Sequence, residues 1–206
     1  MSKDVILSNV KSALEQNKLK SASKSYVDLI KHKENSIVKE YIEMQNANKA
    51  MVIESNDVSK DIKKILDKLD SKKVLYSLDV EDYVSSIKEY KLTAYNKSVD
   101  VMRDELFSID TSIIKAKCGI ADVGIFGIAS SPKEPRLASL ITENCIVILE
   151  KKNIVQSIID GVNTLKGKEN LPSNMIFIAG PSRTADIELK TVFGVHGPQQ
   201  VYIILI

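Results

Sequence analysis

Asn174-Met-Ile-Phe-Ile-Ala-Gly180-Pro-Ser-Arg-Thr-Ala-Asp186-Ile-Glu188-Leu-Lys-Thr-Val-Phe-Gly194-Val-His196-Gly-Pro198-Gln-Gln-Val-Tyr-Ile-Ile-Leu-Ile206 is the stretch on which the reading of this chain turns. Met175 to Ala179 is an apolar run stopped by Gly180-Pro181, the pattern of a buried strand ended by a turn. Ser182, Arg183, Thr184, Asp186 and Glu188 follow, then a second turn holding His196, then the apolar run Val201 to Leu205, a last strand. Polar residues gathered at strand ends are where α/β folds place their sites.

Upstream of this tail, from residue 49, short apolar runs alternate with helical patterns. Ala50–Ile53, Val74–Tyr76, Leu92–Tyr95, Ile109–Ala116, Ile125–Ala129 and Ile146–Leu149 read as strands. Val58, Ile62, Ile65, Leu66 and Leu69 recur at helical spacing, as do Val99 to Phe107 and, from Ile154 to Leu165, six aliphatic residues; Val84 and Ile87 suggest a short helix. The alternation predicts a three-layer α/β/α sandwich over residues 49–206, with helices between most strands favouring a largely parallel sheet. Residues 1–48 read as an N-terminal helical segment, with Val5, Ile6, Val10, Ala13 and Leu14 on one face. A second face follows Ser36, and a short helix is expected around Tyr26–Ile30; His32 falls among charged residues and reads as solvated.

The 206 residues suffice for one domain with a real core, 44% hydrophobic and aliphatic in character, since aromatics make up 5% and tryptophan is absent. A formal net charge of +2 and the lack of a basic, aromatic-interleaved tract argue against nucleic acid as a partner. No apolar run reaches the length of a membrane span, and no secretory h-region follows the first residues, so a cytoplasmic location is expected. Cys118 and Cys145 lie far apart, without C-x-x-C or Cys/His spacing. They encode neither a zinc site nor an iron–sulfur cluster and read as small core residues; no metal or cofactor is expected in this chain.

Three loops offer chemistry. Gly119-Ile-Ala-Asp122-Val-Gly124-Ile-Phe-Gly127 is dense enough in glycine for close backbone approach, so Gly127 is a candidate ligand-contact position. Asp122 reads as a turn cap or the partner of a nearby amide. Ser130-Ser-Pro132-Lys-Glu134-Pro135-Arg136 is pinned by two prolines, which would hold Arg136 for anion recognition or simply make a rigid surface loop. Ser182, Arg183 and Thr184 can present hydroxyls, amides and a guanidinium to a carboxylate or phosphate. His196, Asp186 and Glu188 are the candidate acid/base groups, with a purely structural turn as the alternative for His196.

Gly180-Pro-Ser-Arg-Thr-Ala-Asp-Ile-Glu188, then Val-Phe-Gly-Val-His-Gly-Pro198 and the terminal Val-Tyr-Ile-Ile-Leu, resemble the signature of the LUD-domain family in its lactate utilization protein C branch. Gly119-Ile-Ala-Asp-Val-Gly124 and Pro135-Arg-Leu-Ala-Ser-Leu140 are similar to the family's A-D-x-G-T and P-R-L motifs, with Ile125 replacing the usual threonine and removing a hydroxyl. The resemblance implies a fold like that of the NagB/RpiA/CoA-transferase superfamily. It also implies a place in a three-protein bacterial system oxidising L-lactate to pyruvate, whose other subunits carry the iron–sulfur clusters. On that basis the chain is expected to be an accessory or substrate-handling subunit binding a small anionic metabolite, with cluster-bearing subunits as partners. The alternative is a free-standing enzyme acting on a phosphorylated or CoA-linked metabolite; whether the chain is catalytic stays open at this point.

Overall fold

The computed structural model describes residues 3–16, 36–132, 134–167, 171–184, 192–194 and 196–206. The chain divides into two compact units, residues 1–31 and 32–206. The first contains α1 (Lys3–Gln16), whose Val5, Ile6, Leu7 and Val10 are exposed. The expected helix at 26–30 and His32 lie outside the described residues.

The second unit is built on a six-stranded sheet whose neighbours all run parallel. Its strands, in spatial order, are β1 (Met51–Glu54), β12 (Gln200–Leu205), β7 (Asn144–Leu149), β4 (Thr111–Lys115), β2 (Lys73–Tyr76) and β3 (Lys91–Ala94). Every residue of β7 is buried, as expected of a parallel strand covered on both faces. Side chains alternate between two cores with the period of two that a strand imposes. Val74, Ile113, Ile146, Ile148, Tyr202 and Ile204 enter one core with Ile62, Ile65 and Leu66 of α3 (Val58–Lys68) and Val84 of α4 (Glu81–Val84). Leu75, Ile114, Cys145, Val147, Leu149, Val201, Ile203 and Leu205 enter the other.

That second core is closed by α2 (Ile37–Ala47), by α5 (Val99–Leu106) and by a four-stranded sheet. The small sheet has the order β8 (Ile154–Val155), β5 (Cys118–Ile120), β6 (Ile125–Ala129), β9 (Met175–Ile178), and α6 (Ile158–Lys166) packs on β5 and β6. β10 (Arg183–Thr184) and β11 (Val192–Phe193) form a separate antiparallel pair. The sandwich with a parallel central sheet is therefore as expected, and on the second face the expected strands β6 and β9 join β5 and β8 in a separate small sheet.

Two local expectations change. The glycine-rich stretch read as a loop is a β5–β6 hairpin, pairing Gly119 with Phe126 and Cys118 with Gly127. The helix read from Ile154 begins only at Ile158, because Ser157 and Asp160 form a capping box and Ile154 pairs with Gly119 in the small sheet instead. Tyr41 of α2 is fully buried and receives a hydrogen bond from Gln45 Nε2 at 2.8 Å. Asn48, just after α2, donates to the carbonyls of Val123 at 2.8 Å and Gly124 at 2.7 Å, tying the helix to the hairpin turn. Gly124 has φ +58°, and a Cβ there would lie 2.3 Å from the Met44 carbonyl carbon.

Gly124→Ala is thus expected to cost about 2–4 kcal/mol, from the left-handed backbone and from a clash with main chain that cannot swing away. At Gly161 an added Cβ meets the end of the Ile120 side chain, which can turn, so Gly161→Ala loses less. Urea denaturation of both variants measures the difference; equal losses would contradict it.

Candidate functional site

Connections leaving adjacent strands of an open parallel sheet toward opposite faces leave a crevice at their carboxyl ends. Here β2 leads to α4, on the α3 face, whereas its neighbour β4 leads to β5, on the other face. The crevice between them is occupied by a polar cluster. Ser77 and Asp79 belong to the turn after β2, where Val80 N–H donates to the Ser77 carbonyl at 3.1 Å. Lys117 follows β4, held by its N–H to the Gly127 carbonyl at 2.9 Å. Glu134 comes from the proline-pinned loop after β6, closed by reciprocal backbone bonds between Ser131 and Glu134 at 3.2 and 3.1 Å.

Lys117 Nζ pairs with Glu134 Oε1, Ser131 Oγ donates to Glu134 Oε2 at 3.1 Å, and Ser77 Oγ donates to Asp79 Oδ1. The Asp79 and Glu134 carboxyls face one another. Asp79 Oδ2 is buried and meets no donor among the described residues, so the two groups are compatible only with one proton between them. Burial pushes the Asp79 carboxyl up to about 7, and the Glu134 carboxylate beside it adds to the rise against the opposing pull of Ser77 and Lys117. Burial also works to raise Glu134, but its hydrogen bonds with Asp79 and Lys117 prevail and hold it below the ordinary range. The proton therefore belongs to Asp79. A space of about 10 Å³, enough for no more than one water, remains beside the cluster among Ser77, Lys115, Glu134, Pro135 and Ser139.

Charges continue along this edge. Lys115 reaches Glu150 at 2.7 Å and Lys152 reaches the same carboxylate at 2.5 Å. The Lys115 bond, with help from Lys152, lowers Glu150 to about 2.

The residues singled out from the tail lie elsewhere. β12 begins at Gln200, so His196 to Pro198 stand before the amino end of the main sheet, while Ser182 follows the carboxyl end of β9 in the small one. Ser182 N–H donates to the Pro198 carbonyl at 2.8 Å, and its own carbonyl accepts from Gly194 N–H at 3.0 Å. Ser182, exposed His196 and Gly197 share an open depression of about 270 Å³ with Ser139 and Leu140. His196 also borders a second, of about 400 Å³, with Thr142, Glu143 and Gln199. Arg183 is exposed, and the backbone of Thr184 pairs with Val192. Asp186 and Glu188 lie outside the described residues. Gly127 and Arg136 do not line either depression. Gly127 is buried where a Cβ would meet Cys118, Leu165 and Phe177 at 2.8–3.1 Å, and Arg136 is exposed at the start of a 3-10 turn. Asp122 accepts from the Gln156 side-chain amide at 2.5 Å, in line with a turn role.

Asp79 and Lys117 were missed because nothing in their immediate sequence is unusual. The available signal was position: Ser77-Leu-Asp79 directly follows one strand and Lys117 another.

Asp79 and Glu150 should respond to pH with opposite signs. The folded chain keeps a proton on Asp79 that the unfolded chain releases near its ordinary value of 3.8, so the Asp79 contribution to stability falls as pH rises from there to about 7. Asp79→Asn removes that loss, and its advantage over wild type should widen across this window. The Glu150 ion pairs stabilise above the usual glutamate value of 4.5, and that contribution is lost on acidification toward about 2. Denaturation of wild type, Asp79→Asn and Glu150→Gln at several pH values tests both signs; parallel profiles would refute them.

Comparison with known proteins bears on the whole second unit. The family model of the LUD domain matches residues 38–206. An uncharacterized protein of Neisseria meningitidis is 36% identical over 115 residues, 55% of this chain and 49% of that protein. Lactate utilization protein C 1 of Bacillus mycoides is 36% identical over 101 residues, 47% of this chain and 43% of the relative. The uncharacterized protein YkgG of Escherichia coli is 37% identical over 98 residues, 45% and 42% of the two chains. The chain thus spans less than half the length of these relatives. In fold, it is similar to the crystal structure of a DUF162 family protein from Deinococcus radiodurans, with a TM-score of 0.62 at 17% identity, covering 82% of this chain and 95% of that one. With 38–206 matched, the chain belongs to the LUD domain family.

Proposed function

We propose that this chain acts in lactate utilization, as an accessory or substrate-handling component whose partner subunits carry iron–sulfur clusters. The observation that carries the reading is the likeness to relatives called lactate utilization protein C, in Bacillus mycoides and in Shouchella clausii. Two features of the chain support it. The carboxyl-edge crevice sets Lys117, paired with Glu134, near an aspartate whose proton affinity burial raises, groups suited to a short carboxylic acid. Ser182 and His196 offer a second polar surface at the opposite edge, open enough for a small anion or a docking neighbour. Cys118 and Cys145 are buried, and burial pushes their thiols up to about 11 and about 12. Electron transfer in this reading belongs to the partner subunits.

A strain lacking the gene should fail to grow on L-lactate as sole carbon source while growing normally on pyruvate, and the tagged protein should bring down chains containing iron and labile sulfide. Normal growth of the deletion strain on L-lactate would remove the assignment.

A further inference from the structure

The carboxyl-edge cluster is an odd thing to build for stability. A half-buried carboxylate beside a second carboxyl raises a proton affinity that the fold must accommodate, and an apolar or neutral pair of similar shape would avoid that cost. Ion pairing with Lys117 offsets part of it, but the Lys117 side chain is 42% exposed, whereas that of Glu134 is 12% exposed. The lysine therefore opens to solvent and the carboxylate points inward from it.

Taken from the viewpoint of the Glu134 carboxylate, the surroundings form a receptor. Lys117 supplies a cation to one oxygen, Ser131 a hydroxyl to the other, and Asp79 a carboxylic acid proton; Ser77 in turn fixes the Asp79 carboxyl. Charge-assisted donors converging on both oxygens are what recognises a carboxylate. These donors come from three separate segments, the turn after β2, the link after β4 and the loop after β6, which meet at the crevice where sheets of this kind hold ligands. A space of about 10 Å³ remains beside Glu134, whose side chain is carried by a loop between Pro132 and Pro135.

We propose that the cradle formed by Lys117, Ser131 and Asp79 is a binding site for a short monocarboxylate, a 2-hydroxy or 2-oxo acid, and that Glu134 is the chain's own stand-in, displaced when the ligand carboxylate takes its place. The substrate class rests on the reading of this chain as a lactate-handling protein; the cradle and its self-occupancy rest on the Lys117 and Ser131 bonds to Glu134. Displacement breaks no covalent bond. The Glu134 side chain rotates outward while its loop stays closed by the Ser131–Glu134 backbone bonds, its charge is taken up by water, and the ligand carboxylate inherits the bonds from Lys117, Ser131 and the Asp79 proton.

Removing the stand-in should therefore improve binding. In calorimetric titrations of L-lactate, pyruvate and acetate, Glu134→Ala is expected to bind at least one of these acids about tenfold more tightly than wild type, since the competing tethered carboxylate is gone. Glu134→Gln keeps the shape without the charge and should gain less. Adding Lys117→Ala to Glu134→Ala should abolish the gain. Far-UV circular dichroism and thermal unfolding establish that each variant is folded; should Glu134→Ala fail to fold, Glu134→Gln carries the test. A folded Glu134 variant with no gain for any of the three acids overturns the cradle, whatever the deletion strain does. Improved binding by Glu134→Ala alongside a deletion strain that grows normally on L-lactate upholds the cradle and removes the lactate assignment instead.

Discussion

The ladder joining β4, β7 and β12 is the constraint on which the rest of the molecule depends. Ile113, Ile146 and Tyr202 sit in one register row, with Met51 and Tyr76 extending it to either side. Because β7 is buried along its whole length, its peptide groups have no access to water and find their partners in the neighbouring strands. Parallel pairing in turn demands a crossover between each strand and the next, and the crossovers supply both covering layers. α3 and α4 arise as the crossovers on one face, and α5, the small sheet and α6 on the other.

The same topology makes the two edges of the sheet chemically different. At the amino edge, buried hydroxyls and amides satisfy one another: Ser71 with Thr111 at 2.6 Å, Thr142 with Ser112 at 2.9 Å, and Asp110 accepting from the N–H groups of Lys72 and Lys73 at 2.9 and 2.8 Å. These contacts bond strand starts to one another, while Asp110 Oδ1 and Asn144 Oδ1 are left without a partner among the described residues. At the carboxyl edge the loops diverge, and ionisable residues gather there: Asp79, Lys115, Lys117, Glu134 and Glu150. At this edge burial pushes the Asp79 carboxyl up to about 7.

Much of the architecture was legible in the chain. The aliphatic runs at 109–116, 146–149 and 201–205 announced buried strands, and the spacing of Val58, Ile62, Ile65 and Leu66 announced α3, because burial on one face leaves a period in the sequence. β5 and β8 escaped notice for a related reason. Cys118–Ile120 contains a glycine and spans too few residues to show alternation, and Ile154–Val155 merges with the helical pattern that follows. Among the candidate site residues, Ser182 and His196 do share a surface depression, while Gly127 serves packing beneath Leu165 and Phe177. Glycine in sequence looks the same whether a ligand or a neighbouring side chain approaches it.

The sequence by itself determined the class of fold, the parallel tendency of the sheet and, through the tail beginning at Gly180, the resemblance to the LUD family. These rest on local order: hydrophobic period, turn residues and a run of motif residues in sequence. Which polar residues meet was decided only by the tertiary structure. Lys117 and Glu134 are 17 positions apart and Asp79 lies further upstream, and they converge because β2 and β4 are neighbours in the sheet although β3 lies between them in sequence. Burial then changes what they are, since an aspartate that would ionise freely in solution retains its proton when desolvated against a second carboxyl. Neither the adjacency nor the desolvation is a property of any short stretch of residues.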